Sequence, residues 1–386
     1  MPKRVGYLYD KMLDQDYIRA VILEAAHGRR SRPDIAEVLD NLDSCVEEIY
    51  QILATESYVP SEPKRRHIFD WSSQKWRDLQ MVPFYPDGII QWLLVTTMKP
   101  VLMRGMYAWS CASVPGRGGQ KIHRKLKNAM RNDPEGTKYA GEMDVRHFYP
   151  NVSIKKLIWA LARKIKDKRF LKIVYDILKT CGGGLAIGYY ICQWLANFFL
   201  EPLDQYIMTL PGVKYMTRHM DNITILGPNK KLLHKARKLI EAFMRERLGL
   251  TMKGNWQIYR TTFTQKVAKR HALLDERKQR LRKPRMVAAV GYRFAHTHIT
   301  IRRRNFLRLT RQCRRAKKRL DAGKPISFKL AAGLLSRIGQ LKHCNSHNVR
   351  VKYVDPIKVK RLKEVVRYES KRRQCAQQCL YAGGAA

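Results

Sequence analysis

The tightest constraint on this chain lies in residues 214–226, KYMTRHMDNITIL, where two short runs of strand-forming residues flank His219-Met220-Asp221-Asn222. Two such runs around a short polar segment read as a β-hairpin, and Asp and Asn tolerate the left-handed backbone that tight hairpin turns require. The hairpin therefore holds one carboxylate, Asp221, at its tip. A plain surface hairpin carries the same turn chemistry, so the stretch gains meaning only from a second carboxylate upstream. In residues 139–151, YAGEMDVRHFYPN, the alternation around Met143 and Val145 predicts a buried strand that delivers Asp144 at its end, with Pro150 stopping the ladder. Two carboxylates on separate strand ends suit a pair of hard divalent cations, which take oxygen ligands and clamp the attacking and leaving oxygens of a phosphoryl transfer.

Charge agrees with that chemistry. The 386 residues carry 76 Lys and Arg against 32 Asp and Glu, a formal net charge of +44, so the chain binds polyanions through released counterions whatever else it does. Nucleic acid is the expected partner. A membrane-surface or structural RNA-binding protein would also be basic, but 10% aromatic residues and long apolar runs provide for a sizeable core. The apolar run 185–200 is too short to span a bilayer and carries Gln193 and Asn197, so it reads as a buried helix and no membrane is expected. The eight cysteines show no C-x-x-C pairing, and no secretory signal precedes them, which points to a reducing cytoplasm without structural disulfides. His343, Cys344 and His347 lie close together but belong to no four-ligand set at zinc spacing.

Between the two carboxylates lies GLAIGYYICQWLANFFLEPLD, residues 184–204. The order D-V-x-x-F-Y from Asp144, G-L-x-I-G-x-x-x-C-Q-W-L-A-N-F-F-L from Gly184, R-H-M-D-N from Arg218 and G-Y-R-F from Gly291 resembles the palm of a reverse transcriptase. It is most similar to the bacterial and phage branch that contains diversity-generating retroelement enzymes, whose corresponding motif reads I-G-x-x-x-S-Q. The likeness covers roughly residues 60–350 and departs from the family at Cys192, where Ser stands, and at Asn222, where a second Asp stands.

The resemblance implies an α+β right-hand polymerase: fingers, a palm with a mainly antiparallel sheet backed by helices, and a helical thumb. It implies RNA-directed DNA synthesis with two divalent ions, Mg2+ or Mn2+, held by Asp144, Asp221 and the backbone of Val145. Asn222 and Lys253 join the catalytic set, Lys253 as the group that assists proton transfer to the leaving pyrophosphate. Lys75 and Arg77 match a K-x-R pair that contacts the incoming deoxynucleoside triphosphate. Gln193 belongs to the substrate site, and Tyr149 matches an aromatic residue beneath the sugar that excludes a 2′-hydroxyl. Read without the family, Tyr149 is equally a core tyrosine. Glu142, on the same strand face as Asp144, could return the charge that Asn222 lacks, and a surface glutamate at a strand start is the plain alternative. Template RNA, the RNA–DNA heteroduplex and a small accessory protein or noncoding RNA are the implied partners. Two alternatives stay open: an antiphage defence reverse transcriptase, and a catalytically impaired RNA-binding relative.

The rest of the chain fits this plan. Residues 1–138 form N-terminal helices and fingers, 139–297 the palm, 298–375 a basic thumb and 376–386 a tail. One helix is predicted from Pro33 through Leu53, its outer face carrying the most acidic stretch of the chain. From residue 64 to 131 basic residues alternate with aromatics, including Arg117 and Lys121 beside a Gly-rich turn, as phosphate clamps and stacking platforms require. Residues 232–248 have helical spacing, and 265–285 form a basic insertion. Residues 302–320 predict a helix with a narrow apolar stripe and a surface of Arg and Lys, among them Arg308, Arg311 and Arg315, that belongs along a phosphate backbone. A second thumb helix follows over 327–343.

Overall fold

The computed structural model describes residues 4–70, 74–263, 272–274, 276 and 283–382, with backbone alone at 373, 374 and 376–382. Most of the basic insertion expected at 265–285 lies outside the described residues. The chain divides into two compact units: Met1–Lys121 with Gly141–Ile258, and Ile122–Ala140 with Tyr259–Ala386. The fold is α+β.

The first unit opens with helices. The single helix expected from Pro33 onward is two, Pro33–Asp40 and Leu42–Ala54. Asn41 leaves helical geometry (φ −114°, ψ 38°), and its side-chain amide donates to the carbonyl of Glu37 at 3.1 Å, competing with the backbone for the last turn. Next comes an exposed antiparallel pair, β1 (Lys64–Asp70) and β2 (Lys75–Met81), in register from Asp70 opposite Lys75 to Lys64 opposite Met81. Its inner end is fastened to the loop before helix Tyr190–Phe199: the Gln80 N–H donates to the Ile187 carbonyl at 2.8 Å, and the Gln80 carbonyl lies where a Cβ on Gly188 would sit, 2.0 Å away. Gly188 also has φ +123°, so two independent reasons require glycine there.

The principal sheet has five strands in the order β3-β5-β6-β4-β7, with β3 Ser110–Cys111, β4 Tyr139–Asp144, β5 Tyr215–His219, β6 Asn222–Gly227 and β7 Gln257–Arg260. The sheet is mixed, because β3 runs parallel to β5, with Ser110 opposite Arg218. β5 and β6 form the expected hairpin, His219 pairing with Asn222 across a two-residue turn. Contrary to expectation, the left-handed residue is Met220 (φ +53°) and not Asp221 or Asn222. Such a conformation in a non-glycine residue costs about 1–3 kcal/mol and persists only where its surroundings over-determine it.

Helices cover the sheet with apolar faces. Tyr190–Phe199 buries Ile191, Cys192, Trp194 and Leu195 among others. Lys230–Phe243 buries Leu233, Ala236 and Ile240 and is capped by Asn229, whose side chain accepts from the N–H groups of Lys231 and Leu232. Leu232, expected on its apolar stripe, is one of the exposed large side chains. Pro150 does not stop β4: the strand ends at Asp144, and the chain then turns through left-handed His147 into a short helix, Phe148–Asn151, that contains Pro150. Among the described residues, no helix is long and apolar enough to cross a membrane.

The second unit holds a three-stranded antiparallel sheet, β8 (Val287–Ala289), β9 (Tyr292–Phe294) and β10 (Ile299–Ile301), in the order β10-β9-β8. Its first turn, Val290-Gly291, has positive φ at both positions, as the tightest hairpins require. Helices Arg303–Asp321 and Phe328–Gln340 follow, and Leu309, Cys313, Ala316, Leu330, Leu334 and Ile338 form the centre of a separate apolar core. A last helix, Val359–Ala382, runs through most of the span expected as a tail.

Candidate active site

The two carboxylates meet. Asp144 ends β4, Asp221 tips the β5–β6 hairpin, and the N–H of Val145 donates to the Asp221 carbonyl at 3.3 Å, joining the two segments directly beside both side chains. Burial raises the Asp221 acid to about 6 from an ordinary 3.8; the neighbouring charge of Asp144, and a hydrogen bond with its carboxyl, act in the same direction. A carboxylate whose ionisation is hindered by burial and by a second carboxylate is a cation site in waiting. A cation is already present: Lys253 Nζ donates to Asp144 Oδ1 at 2.6 Å, and the Lys253 N–H donates to the Asp144 carbonyl at 2.8 Å. Val145 faces Met252 as an antiparallel bridge pair, flanked by the Lys253-to-Asp144 and Arg146-to-Thr251 hydrogen bonds, so its carbonyl is not used in that bridge.

The donor set fits hard divalent ions, since it offers carboxylate and carbonyl oxygens and an ammonium stands in for positive charge. Asn222 behaves differently from an added ligand: its side-chain amide donates to Asp221 Oδ1 at 3.1 Å, which orients that carboxylate and withdraws electron density from it. Glu142 is half-buried on β4, two residues before Asp144.

Tyr149 joins the group from the short helix Phe148–Asn151, its hydroxyl 4.0 Å from the Met220 sulfur. Burial pushes its phenol well up, Cys192 and Asp221 add to this, and Arg77 opposes it. Those influences bring Arg77 of β2 to the same place, where its Nε also donates to Asp70 at 3.1 Å. Lys75, at the exposed start of β2, makes no described contact with either carboxylate. Gln193 is half-buried on helix Tyr190–Phe199, beside Cys192, whose sulfur lies 3.8 Å from that of Cys181. Arg117 is occupied within its own loop, donating to the carbonyls of Met106 and Tyr107, while the Lys121 ammonium lies 5.4 Å from the centre of the Trp109 ring. In the second unit, Arg308, Arg311 and Arg315 share one face of helix Arg303–Asp321; Arg311 and Arg315 are exposed and Arg308 is half-buried.

Sequence reasoning missed Arg218. Its guanidinium is wholly buried with the carboxylate of Asp204, in two parallel hydrogen bonds of 2.7 Å. The signal was an arginine amid strand residues that all point inward or pair, together with an aspartate closing the most apolar stretch of the chain.

Fold and site define an α+β protein with paired carboxylates at two strand ends of a mixed sheet. In sequence, the chain's ordered motifs are similar to those of reverse transcriptases. No family model matches it. It is 23% identical over 252 residues to the group II intron-encoded protein LtrA of Lactococcus lactis subsp. cremoris, covering 60% of this chain and 41% of LtrA. An uncharacterized 91 kDa protein in the cob intron of Schizosaccharomyces pombe is 26% identical over 227 residues, 52% of this chain and 26% of that protein. The chain thus spans less than half the length of these relatives. Among solved structures, telomerase from Candida tropicalis with a telomeric RNA fragment aligns at a TM-score of 0.45 and 9% identity over 70% of this chain and 52% of that one. A Cas6-RT-Cas1–Cas2 complex aligns at 0.33 and 19% over 62% and 27%.

Proposed function

We propose that the protein is an RNA-directed DNA polymerase in which a primer 3′-hydroxyl attacks the α-phosphate of a deoxynucleoside triphosphate. The observation that carries this reading is the meeting of Asp144 and Asp221 at two strand ends, with Asp221 raised to about 6 and a cation already beside Asp144. Asp144, Asp221 and the Val145 carbonyl would hold Mg2+ or Mn2+, which when bound supplies activation of the hydroxyl and neutralisation of charge on the phosphates.

The chain's own residues do the rest. Arg77, with Lys75 at the strand start, clamps triphosphate oxygens by charge-assisted hydrogen bonds. Tyr149 forms the floor under the sugar and leaves no room for a 2′-hydroxyl. Lys253, whose ammonium lies against Asp144, is placed to assist proton transfer to the departing pyrophosphate. Gln193 lines the nucleotide site, and the arginine face of helix Arg303–Asp321, with Arg117 and Lys121, tracks the backbones of template RNA and heteroduplex. In domain terms, residues 1–138 act as fingers, 139–297 as palm and 298–375 as thumb.

The I-G-x-x-x-C-Q motif supports a finer role, the copying of a dedicated RNA into cDNA in a retroelement resembling the diversity-generating kind; an antiphage defence enzyme with its own noncoding RNA would use the same chemistry. One observation favours a second reading. Asn222 replaces a charge and hydrogen-bonds Asp221, which suits a catalytically impaired RNA-binding relative. Primer extension on an RNA template, with Mg2+, with Mn2+ and with neither, tests the proposal. Synthesis that depends on the metal and is absent in Asp144→Ala supports it; no synthesis in either metal, with RNA binding intact, transfers the case to the second reading.

A further inference from the structure

The left-handed residue of the hairpin turn, Met220, is pinned on both sides of its backbone. Its N–H donates to the Cys111 carbonyl on β3 at 3.3 Å, and its carbonyl accepts from Arg218 Nη1 at 2.9 Å. The next residue is Asp221. We infer that Arg218, through its buried pair with Asp204, is a positioning residue that fixes the backbone carrying the Asp221 carboxylate.

All five N–H groups of the guanidinium are engaged. Nε and Nη2 donate to the two oxygens of Asp204, Nη1 donates to Asn197 Oδ1 at 3.1 Å and to the Met220 carbonyl, and Nη2 reaches the Asn197 carbonyl at 3.4 Å. Ser110, opposite Arg218 in the sheet, donates its hydroxyl to Asp204 Oδ2, the oxygen that also accepts from Nη2. Asp204 belongs to helix Glu201–Thr209 and Asn197 to helix Tyr190–Phe199, so the turn is referenced to two helices and to the neighbouring strand. Both partners of the ion pair have fully buried side chains. A pair so placed is weak evidence for stability, because desolvation offsets most of the attraction and apolar residues of similar volume serve about as well. What apolar residues cannot supply is the bond to Met220. A lysine cannot supply it together with the fork on Asp204 either, because its ammonium is a compact point donor.

The inference rests on the reading of Asp144 and Asp221 as a metal pair, and the test separates the two. The full chain is compared with Arg218→Met/Asp204→Leu, which keeps volume and removes both charges, and with Arg218→Lys. Melting temperature, hydrogen exchange at residues 219–222, Mn2+ binding by calorimetry and primer extension are read for each. Expected for the double variant are a melting temperature near the original, faster exchange at 219–222, and Mn2+ affinity reduced by about 10–100-fold, the range for groups that orient metal ligands. Synthesis should fall in kcat with KM for the nucleotide little changed. Should the double variant not fold, Arg218→Lys decides on the same readouts. Unchanged exchange and unchanged Mn2+ affinity in a folded variant overturn the inference. If the unaltered chain binds no Mn2+ and synthesises nothing, the polymerase reading fails on its own account; hydrogen exchange then decides by itself whether Arg218 holds the turn.

Discussion

Arginine does opposite work in two regions of this protein. Arg218, inside the first unit, spends every donor on fixed partners and contributes nothing to the outer field. Helix Arg303–Asp321, in the second unit, buries only a narrow stripe around Leu309, Cys313 and Ala316 and gives its arginines mainly to the surface. Buried, the guanidinium acts as a template whose value depends on angles and tenths of an ångström. On the surface the same group acts as a charge whose value depends on number and salt. The difference teaches where a substitution should be sharp and where it should be graded.

The sharpest break is at the carboxylates. Asp221→Ala should abolish synthesis, by at least about three orders of magnitude, while leaving the melting temperature equal or higher because a hindered, half-buried acid has been removed. Retained synthesis would show that the hairpin tip has no chemistry. The graded counterpart is Arg308→Ala, Arg311→Ala and Arg315→Ala together. Heteroduplex affinity should then weaken alike for all sequences, with the slope of log affinity against log salt reduced by up to about 0.9 for each phosphate no longer neutralised. An unchanged slope would remove this helix from the nucleic acid.

Tyr149 stands between the two regimes, half-buried and next to Met220. Tyr149→Ala should raise the ratio of ribonucleotide to deoxynucleotide incorporation without loss of RNA binding. If the residue is only core, the variant instead loses roughly 3 kcal/mol or more of stability and the ratio stays put. A smaller change is expected at Asn222. Asn222→Asp exchanges a donor on Asp221 for a negative charge, so synthesis in Mg2+ should rise and the preference for Mn2+ over Mg2+ should narrow; equal activities before and after would show that the amide costs nothing.

The smallest effect is a pH dependence. The folded chain keeps the Asp221 proton up to about 6, whereas the unfolded chain releases it near 3.8. Folding stability from this group is therefore greatest below the lower value and declines as pH rises through the interval. In metal-free protein, the difference in melting temperature between Asp221→Asn and the unaltered chain should grow from about pH 4 to about pH 6 and then level off. Mn2+ at neutral pH should shrink it.

Local patterns carried much of this into the sequence. The β5–β6 hairpin, the placement of Asp144 at a strand end and the narrow stripe of helix Arg303–Asp321 follow from alternation, turn chemistry and helical spacing, which act over a few residues. Arg218 was invisible for the opposite reason: its meaning lies in Asp204, Asn197 and the Met220 carbonyl, partners that only the folded sheet assembles. The break at Asn41 came from a side-chain amide that shares the Glu37 carbonyl with its own backbone N–H, which helical spacing does not reveal. Pro150 was misread as a strand stop because the turn at His147 comes first. Met220 took the left-handed position over Asp221 and Asn222, where anchors from β3 and Arg218 outweighed intrinsic preference.

The touch between Gly188 and Gln80 has a mechanical meaning. The β1–β2 ribbon is a lever whose fulcrum is a backbone-to-backbone approach, and Arg77 rides on its arm three residues out. About 10 Å of strand separates fulcrum from guanidinium-bearing Cα, so a small tilt at the glycine is carried outward to the residue proposed to meet the triphosphate. Added bulk at position 188 would act at the fulcrum and be felt as aim, far from where the atom was added.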